Sequence, residues 1–164
     1  MGTKGREIVG PDVKEIIGLL NRALADEWQA YYQYWVGAKI VSGPMRPDVK
    51  EEMVQHSKEE LGHAEMVADR IAVLGGVPIL NPGEWAKASN CAYDAPADHG
   101  VMAVLRQNIK AEQCAIGVYQ RLLGKAKDAG DHITFDMARK IMEDEVGHED
   151  ELQELLEDIE LMKK

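Results

Sequence analysis

Glu60-Leu61-Gly62-His63 constrains this 164-residue chain more than any other stretch. A carboxylate and an imidazole three positions apart on a helix share a face, about 5–6 Å apart at Cβ, which is ligand spacing for a metal ion. The pattern returns 85 residues later as Glu145-Val146-Gly147-His148, and each copy follows another glutamate, Glu27 or Glu112, by 33 residues. Ala30 and Ala115, and Tyr34 and Tyr119, hold matching places in the two halves, so the chain is an internal repeat with a fixed register. The midpoint of each Glu–Glu interval falls in a turn-forming sequence, Gly43-Pro44 in one half and Asp128-Ala129-Gly130 in the other. In an antiparallel helical hairpin, residues equidistant from the turn lie at one height, here roughly 25 Å down each helix. All six groups can therefore share one layer.

Apolar residues recurring every three or four positions predict the helices that carry this layer. Residues 1–10 are polar and glycine-rich and read as a flexible arm, and Pro11 suits the first turn of helix A, over 11–42. Its stripe of Ile16, Leu20, Leu24, Glu27, Tyr31, Tyr34 and Ala38 puts a glutamate in the core seam. Helix B spans 47–75, with Met53, His56, Glu60, His63, Val67 and Ile71 in register, and stops at Gly75-Gly76. A crossover, 76–96, is rich in Pro, Gly and Asn, with a short helix expected from Glu84 to Ser89. Its length suits a connection that carries the chain to the far end of a bundle. Helix C covers 97–128 and helix D 131–161, with Asp131 as cap. One domain results: an all-α four-helix bundle with one long crossover between helices B and C.

Burying an unpaired carboxylate costs several kcal/mol, so four seam glutamates need a counter-charge. Two divalent cations supply it, and two neutral imidazoles complete the shells. Oxygen donors with imidazole and no thiolate favour iron or manganese over a structural zinc site. A net charge of −10 suits cation attraction and argues against a nucleic-acid surface; a DNA-compacting reading rests only on Lys4 and Arg6 in the arm. No apolar run is long enough to span a bilayer and no signal-type segment opens the chain, so a cytoplasmic protein is expected, with no membrane partner. Cys91 and Cys114 are too few for a disulfide scaffold, and Cys114 lies about 200° round its helix from Glu112, facing away from the metal layer.

On these six residues and their spacing the chain resembles ferritin-like di-iron carboxylate proteins, and bacterioferritins in particular, from helix A to helix D. The resemblance implies a ferroxidase centre within one subunit, holding two iron ions through Glu27, Glu60, His63, Glu112, Glu145 and His148. Glu60 and Glu145 would bridge the metals, with Tyr34 beside them as a further catalytic residue. Bacterioferritins carry a haem-binding Met directly after the helix-B bridging Glu; here that residue is Leu61, so haem is not expected. With few residues after helix D, the short fifth helix of 24-subunit ferritins is not expected, whereas a short helix in the crossover is similar to Dps shells of twelve, which implies a homo-oligomer of about twelve. A bacterioferritin-type site in a Dps-sized chain with two cysteines resembles thioferritins, which implies that Cys91 and Cys114 form a redox pair near the centre.

The expected function is Fe(II) oxidation by hydrogen peroxide or oxygen, storage of the product in a homo-oligomeric shell, and protection against oxidative stress. The alternative is a discrete di-metal redox enzyme, a rubrerythrin-type peroxidase or a manganese catalase, without stored mineral. Rubrerythrin-like sites add a glutamate three residues after the first helix-C ligand, where this chain has Ala115. His56, one turn before Glu60, reads as a core histidine, a spare ligand or a gate, and His99 and His132 as surface residues at helix starts.

Overall fold

The computed structural model describes residues 3–162. The first element is not a loose arm: α1 (Thr3–Val9) is helical. Its last residue, Val9, is buried in the same apolar cluster as Ile16 and Leu74, and the Arg6 guanidinium lies against the Gly75 turn. These contacts tie down a segment whose composition gave no sign of order. Lys4, half of the basic pair in the DNA-compacting reading, is ion-paired with Glu7.

After a 3₁₀ turn at Gly10–Asp12, α2 (Val13–Ile40) and α3 (Arg46–Val73) form one antiparallel hairpin. α4 (Trp85–Ala88) lies in the crossover, and α5 (Val101–Asp128) with α6 (His132–Leu161) forms the second hairpin. Each break has a local cause. Gly75 and Gly130 take φ of 82° and 67°, left-handed values that cost a side-chain-bearing residue energy, and end α3 and α5. The Asp131 carboxylate accepts from Thr134 N and caps α6.

The third long helix starts at Val101 and not at 97 as expected. Asp98 accepts from Gly100 N, and Ser42 exchanges backbone hydrogen bonds of 2.9 Å with His99 and Val101, so these groups are committed to a bridge between the end of α2 and the start of α5. His99 and His132 are exposed. The crossover is docked, with Trp85 stacked on Trp28 of α2 at 5.4 Å between ring centres. Among the described residues, no helix is long and apolar enough to cross a membrane.

Two apolar clusters fill the bundle. One gathers Ile16, Leu20, Leu24, Val67, Ile71 and Ile141; the other gathers Ala38, Val49, Met53, Leu105, Leu152 and Ile159. The repeated Glu and His positions lie between the two along each helix.

One buried ion pair locks the hairpins together. Arg70 of α3 donates to Asp131 at 2.6 Å and to the Thr134 hydroxyl at 2.8 Å. Burial pushes the Asp131 carboxyl up, but Arg70 and Thr134 outweigh it and hold it below the usual 3.8. A depressed carboxyl contributes stability at neutral pH that is lost as pH falls through the folded value, below 3.8. Arg70→Met is expected to cost the apo-protein about 3 kcal/mol at pH 7 by stranding a buried carboxylate, and much less in acid; urea denaturation followed by circular dichroism at both pH values measures the difference.

Candidate metal centre

Each long helix contributes to one buried layer: Glu27 from α2, Glu60 and His63 from α3, Glu112 from α5, Glu145 and His148 from α6. All six are at most 3% exposed. They form two overlapping sets, Glu27, Glu60, His63 and Glu145 in one, Glu60, Glu112, Glu145 and His148 in the other, and the donor atoms of each lie within 4.8 Å of one another. Glu60 and Glu145 belong to both. His63 Nδ1 stands 3.6, 3.4 and 3.4 Å from Glu27, Glu60 and Glu145. His148 Nδ1 stands 3.4, 3.9 and 3.3 Å from Glu60, Glu112 and Glu145. The structure thus brings together all six residues singled out by the repeat.

The fit to cations is tested by what these atoms lack. Ten buried side-chain N and O atoms have no hydrogen-bond partner among the described residues, and seven of them are Glu27 Oε2, both oxygens of Glu60 and of Glu145, and Nδ1 of His63 and His148. Orphaned buried acceptors are costly and rare, and here they converge on two points. Carboxylates with imidazole nitrogens suit iron or manganese.

The surroundings orient the donors. His63 Nε2 meets Asp144 at 3.2 Å and His148 Nε2 meets Glu59 at 2.8 Å, each a contact from one hairpin to the other. An Nε2–H held by a carboxylate leaves Nδ1 as the ligand and fixes the ring plane. Tyr34 donates its hydroxyl hydrogen to Glu112, and Tyr119 donates to Glu27. Tyr34, expected beside the centre, lies there with its hydroxyl on a ligand carboxylate, and burial followed by the Glu112 charge keeps its phenol well above its ordinary value.

Charge is shared unevenly in the metal-free layer. Burial, only partly offset by His63, raises Glu27 well above the ordinary range; burial with the charges of Glu145 and Glu60 does the same to Glu112. Burial also pushes Glu145 up, but His148, His63 and Glu112 outweigh it and bring it to about 2. Both imidazoles are pulled the other way: burial lowers His148, yet Glu145 and Glu60 raise it to about 11, and His63 is raised likewise by Glu145, Glu27 and Glu60. Protons on the histidines fill the electrostatic place of cations, so cation binding must expel them.

Three participants escaped the sequence reading. Glu59 and Asp144 immediately precede the two doubly shared glutamates, so an acid at the same repeat position was the available signal. Asp26, by contrast, has Ala111 as its repeat counterpart and gives no such signal. It accepts from Asn90 N, Asn90 Nδ2 and Cys91 N, which clamps the crossover against α2. Cys91 is thereby placed over α5 and joined to Cys114 in a disulfide, with Cα atoms 5.9 Å apart. Beside it a cavity of about 30 Å³ is lined by Cys91, Ala30 and Ala115 and by Glu27, Glu60, Glu112 and Glu145. His56 is fully buried, its ring stacked 4.0 Å from that of His148.

Four long helices closing on two carboxylate–histidine sets define a four-helix-bundle carboxylate protein. The Ferritin-like domain family matches residues 17–162. A solved structure of a dodecameric thioferritin, the bacterioferritin-related protein from Bacteroides fragilis, is 43% identical at a TM-score of 0.96, covering 99% of this chain and 97% of that one. The DNA protection during starvation protein of Pyrococcus furiosus is 32% identical over 152 residues, 92% of this chain and 81% of that protein. A bacterioferritin of Rhodobacter capsulatus is 26% identical over 139 residues, 85% and 81% of the two chains. The chain belongs to the ferritin-like family.

Because Asp144 and Glu59 hold the rings, Asp144→Asn or Glu59→Gln is expected to weaken Fe(II) binding about 10- to 100-fold without loss of helix content, read by anaerobic titration calorimetry. Unchanged affinity would remove their orienting role.

Proposed function

We propose that the chain is a ferroxidase that binds two Fe(II) ions per subunit, oxidises them with hydrogen peroxide or oxygen, and stores the product within a homo-oligomeric shell. The carrying observation is that all four oxygens of Glu60 and Glu145 are buried without a hydrogen-bond partner among the described residues and are shared between two donor sets. Glu27 and His63 would hold one ion, Glu112 and His148 the other, and Glu60 and Glu145 would span both. As substrate, the Fe(II) pair supplies the two electrons that, with two protons, convert one hydrogen peroxide to two waters. The chain's residues place the pair, aim Nδ1 of each histidine at it, and leave beside it a cavity of about 30 Å³ for the oxidant. Twelve subunits are proposed from the likeness to the Bacteroides fragilis protein, and the nine acidic residues from Glu143 to Glu160 other than the buried Glu145 offer a surface for Fe(III) within the shell. Protection against oxidative stress follows, because one reaction consumes peroxide and removes Fe(II). The comparisons do not favour a discrete di-metal enzyme.

Glu60→Ala or Glu145→Ala is expected to slow Fe(II) oxidation more than about 100-fold while the helices persist or gain stability, since a buried carboxylate is removed. Stopped-flow absorbance with sedimentation of the same samples reads both rate and assembly; wild-type rates in either variant would sink the paired-ion reading, and a stable dimer would sink the shell.

Cys91 and Cys114 are proposed to relay electrons without ligating metal. The structure holds the pair oxidised, as the disulfide; two electrons and two protons from a thiol reductant would open it, and the dithiol, on closing again, would deliver them to one peroxide in place of the Fe(II) pair. Cys91 borders the cavity that the four ligand carboxylates also line, which supports the relay. A Cys91→Ser/Cys114→Ser variant should bind two metals per subunit by elemental analysis yet show altered peroxide-driven turnover. Metal loss in that variant would place the thiols among the ligands, and unchanged turnover would return them to packing.

A further inference from the structure

The two hairpins agree wherever the paired centre needs them to: Glu27 matches Glu112, Tyr34 matches Tyr119, Glu59 matches Asp144, and both Glu-x-x-His pairs match each other. They disagree at three positions together. Glu52, His56 and Glu151 correspond, at the repeat interval of 85, to Met137, Ile141 and Met66. On the apolar side of the pseudo-dyad Ile141 is fully buried, with Met66 and Met137 packed against its cluster. On the polar side the same three places bring an imidazole and two carboxylates together, with donor atoms all within 4.8 Å.

His56 is fully buried, and its Nε2 stands 3.0 Å from Glu52 Oε1 and 3.0 Å from Glu151 Oε2. A neutral imidazole carries one N–H, so at most one carboxylate receives its hydrogen bond, and burial with the neighbouring Glu151 charge pushes the Glu52 carboxyl up. The second ring nitrogen, Nδ1, is buried with no partner among the described residues. Glu52 and Glu151 side chains are 25% and 50% exposed, so a hydrated ion can reach the cluster from solvent. Glu151 and His148 also line an open groove of about 470 Å³ between α3 and α6.

We propose that Glu52, His56 and Glu151 hold a third divalent transition-metal ion, beside the paired centre and on its His148 side only. Two carboxylates balance a dication, and one imidazole nitrogen among hard oxygens selects a first-row transition metal over calcium or magnesium. The His56 ring lies against His148, whose Nδ1 belongs to the second donor set, so an ion held here waits next to that half of the centre. The waiting role rests on the ferroxidase reading; the binding does not.

Co(II) alone tests the binding in the full-length metal-free protein, by equilibrium dialysis at low micromolar free metal with elemental analysis. Wild type should hold three ions per subunit, and Glu52→Ala/Glu151→Ala should hold two, the loss of one. Both substitutions fall on partly exposed side chains, and circular dichroism verifies that the variant is folded. Two ions in wild type, or three in both proteins, overturns the third site and leaves the paired centre standing. One ion in wild type and none in the variant supports the third site and overturns the paired centre instead. A further variant, His56→Gln, should also lose one ion; retention of three would remove His56 from the site.

Discussion

The structure depends on a layer of four carboxylates enclosed between two apolar clusters. Each glutamate sits where the helix periodicity calls for an aliphatic residue, and each would be costly there alone. Tolerance comes from arrangement. The glutamates face one another across the bundle axis with an imidazole beside each pair of carboxylates, so charge can be shared with protons or with cations, and the apolar clusters at either end exclude water from both. The bundle is held by those clusters and by bonds such as Arg70–Asp131 at its periphery, so the central layer is free to be poorly satisfied. Local shortfall supported by good packing elsewhere is the usual relation between a fold and its site.

Partition of hydrogen bonds within the layer sharpens this. The outer glutamates, Glu27 and Glu112, each receive a tyrosine hydroxyl, whereas Glu60 and Glu145 receive none. A tyrosine bond fixes one oxygen of an outer carboxylate, while the shared carboxylates keep every oxygen for whatever lies between them. Cations bound there would be set in number by Glu60 and Glu145 and in position by His63 and His148. The acids Glu59 and Asp144 complete the control, since each comes from the opposite hairpin and orients a ring only when the two hairpins are correctly docked.

The bundle and its six-residue layer were legible in the sequence because both reduce to one-dimensional spacing: three residues within a helix, equal distances from a turn, and a repeat that fixes register. What escaped depends on azimuth and on long-range docking. Nothing in the spacing says that Asp144 reaches His63 and not solvent, although its repeat partner Glu59 hinted at a shared role. The order in α1 depends on Val9 finding a cluster made by residues from four other helices. The Cys91–Cys114 pairing was expected from the resemblance and not from spacing, because it depends on where Asp26 clamps an irregular crossover. The start of α5 at Val101 depends on a backbone bridge to Ser42 that no periodicity records.

The repeat is also informative where it fails. Two hairpins of near-equal pattern give a centre whose halves have the same donors, so a difference between the halves must come from beyond them. The crossover covers one face, where Cys91, Ala30 and Ala115 border a cavity too small for much more than a water-sized molecule or two. The α3–α6 face is open and acidic, reaching Nε2 of both histidines through Glu59 and Asp144. A hydrated cation suits the open, charged face, whereas a small neutral oxidant suits the narrower one. Electrostatics and size would therefore separate the approaches of the two reactants of the proposed reaction, and because His56 stacks on His148, the cation approach would favour one half of an otherwise even pair.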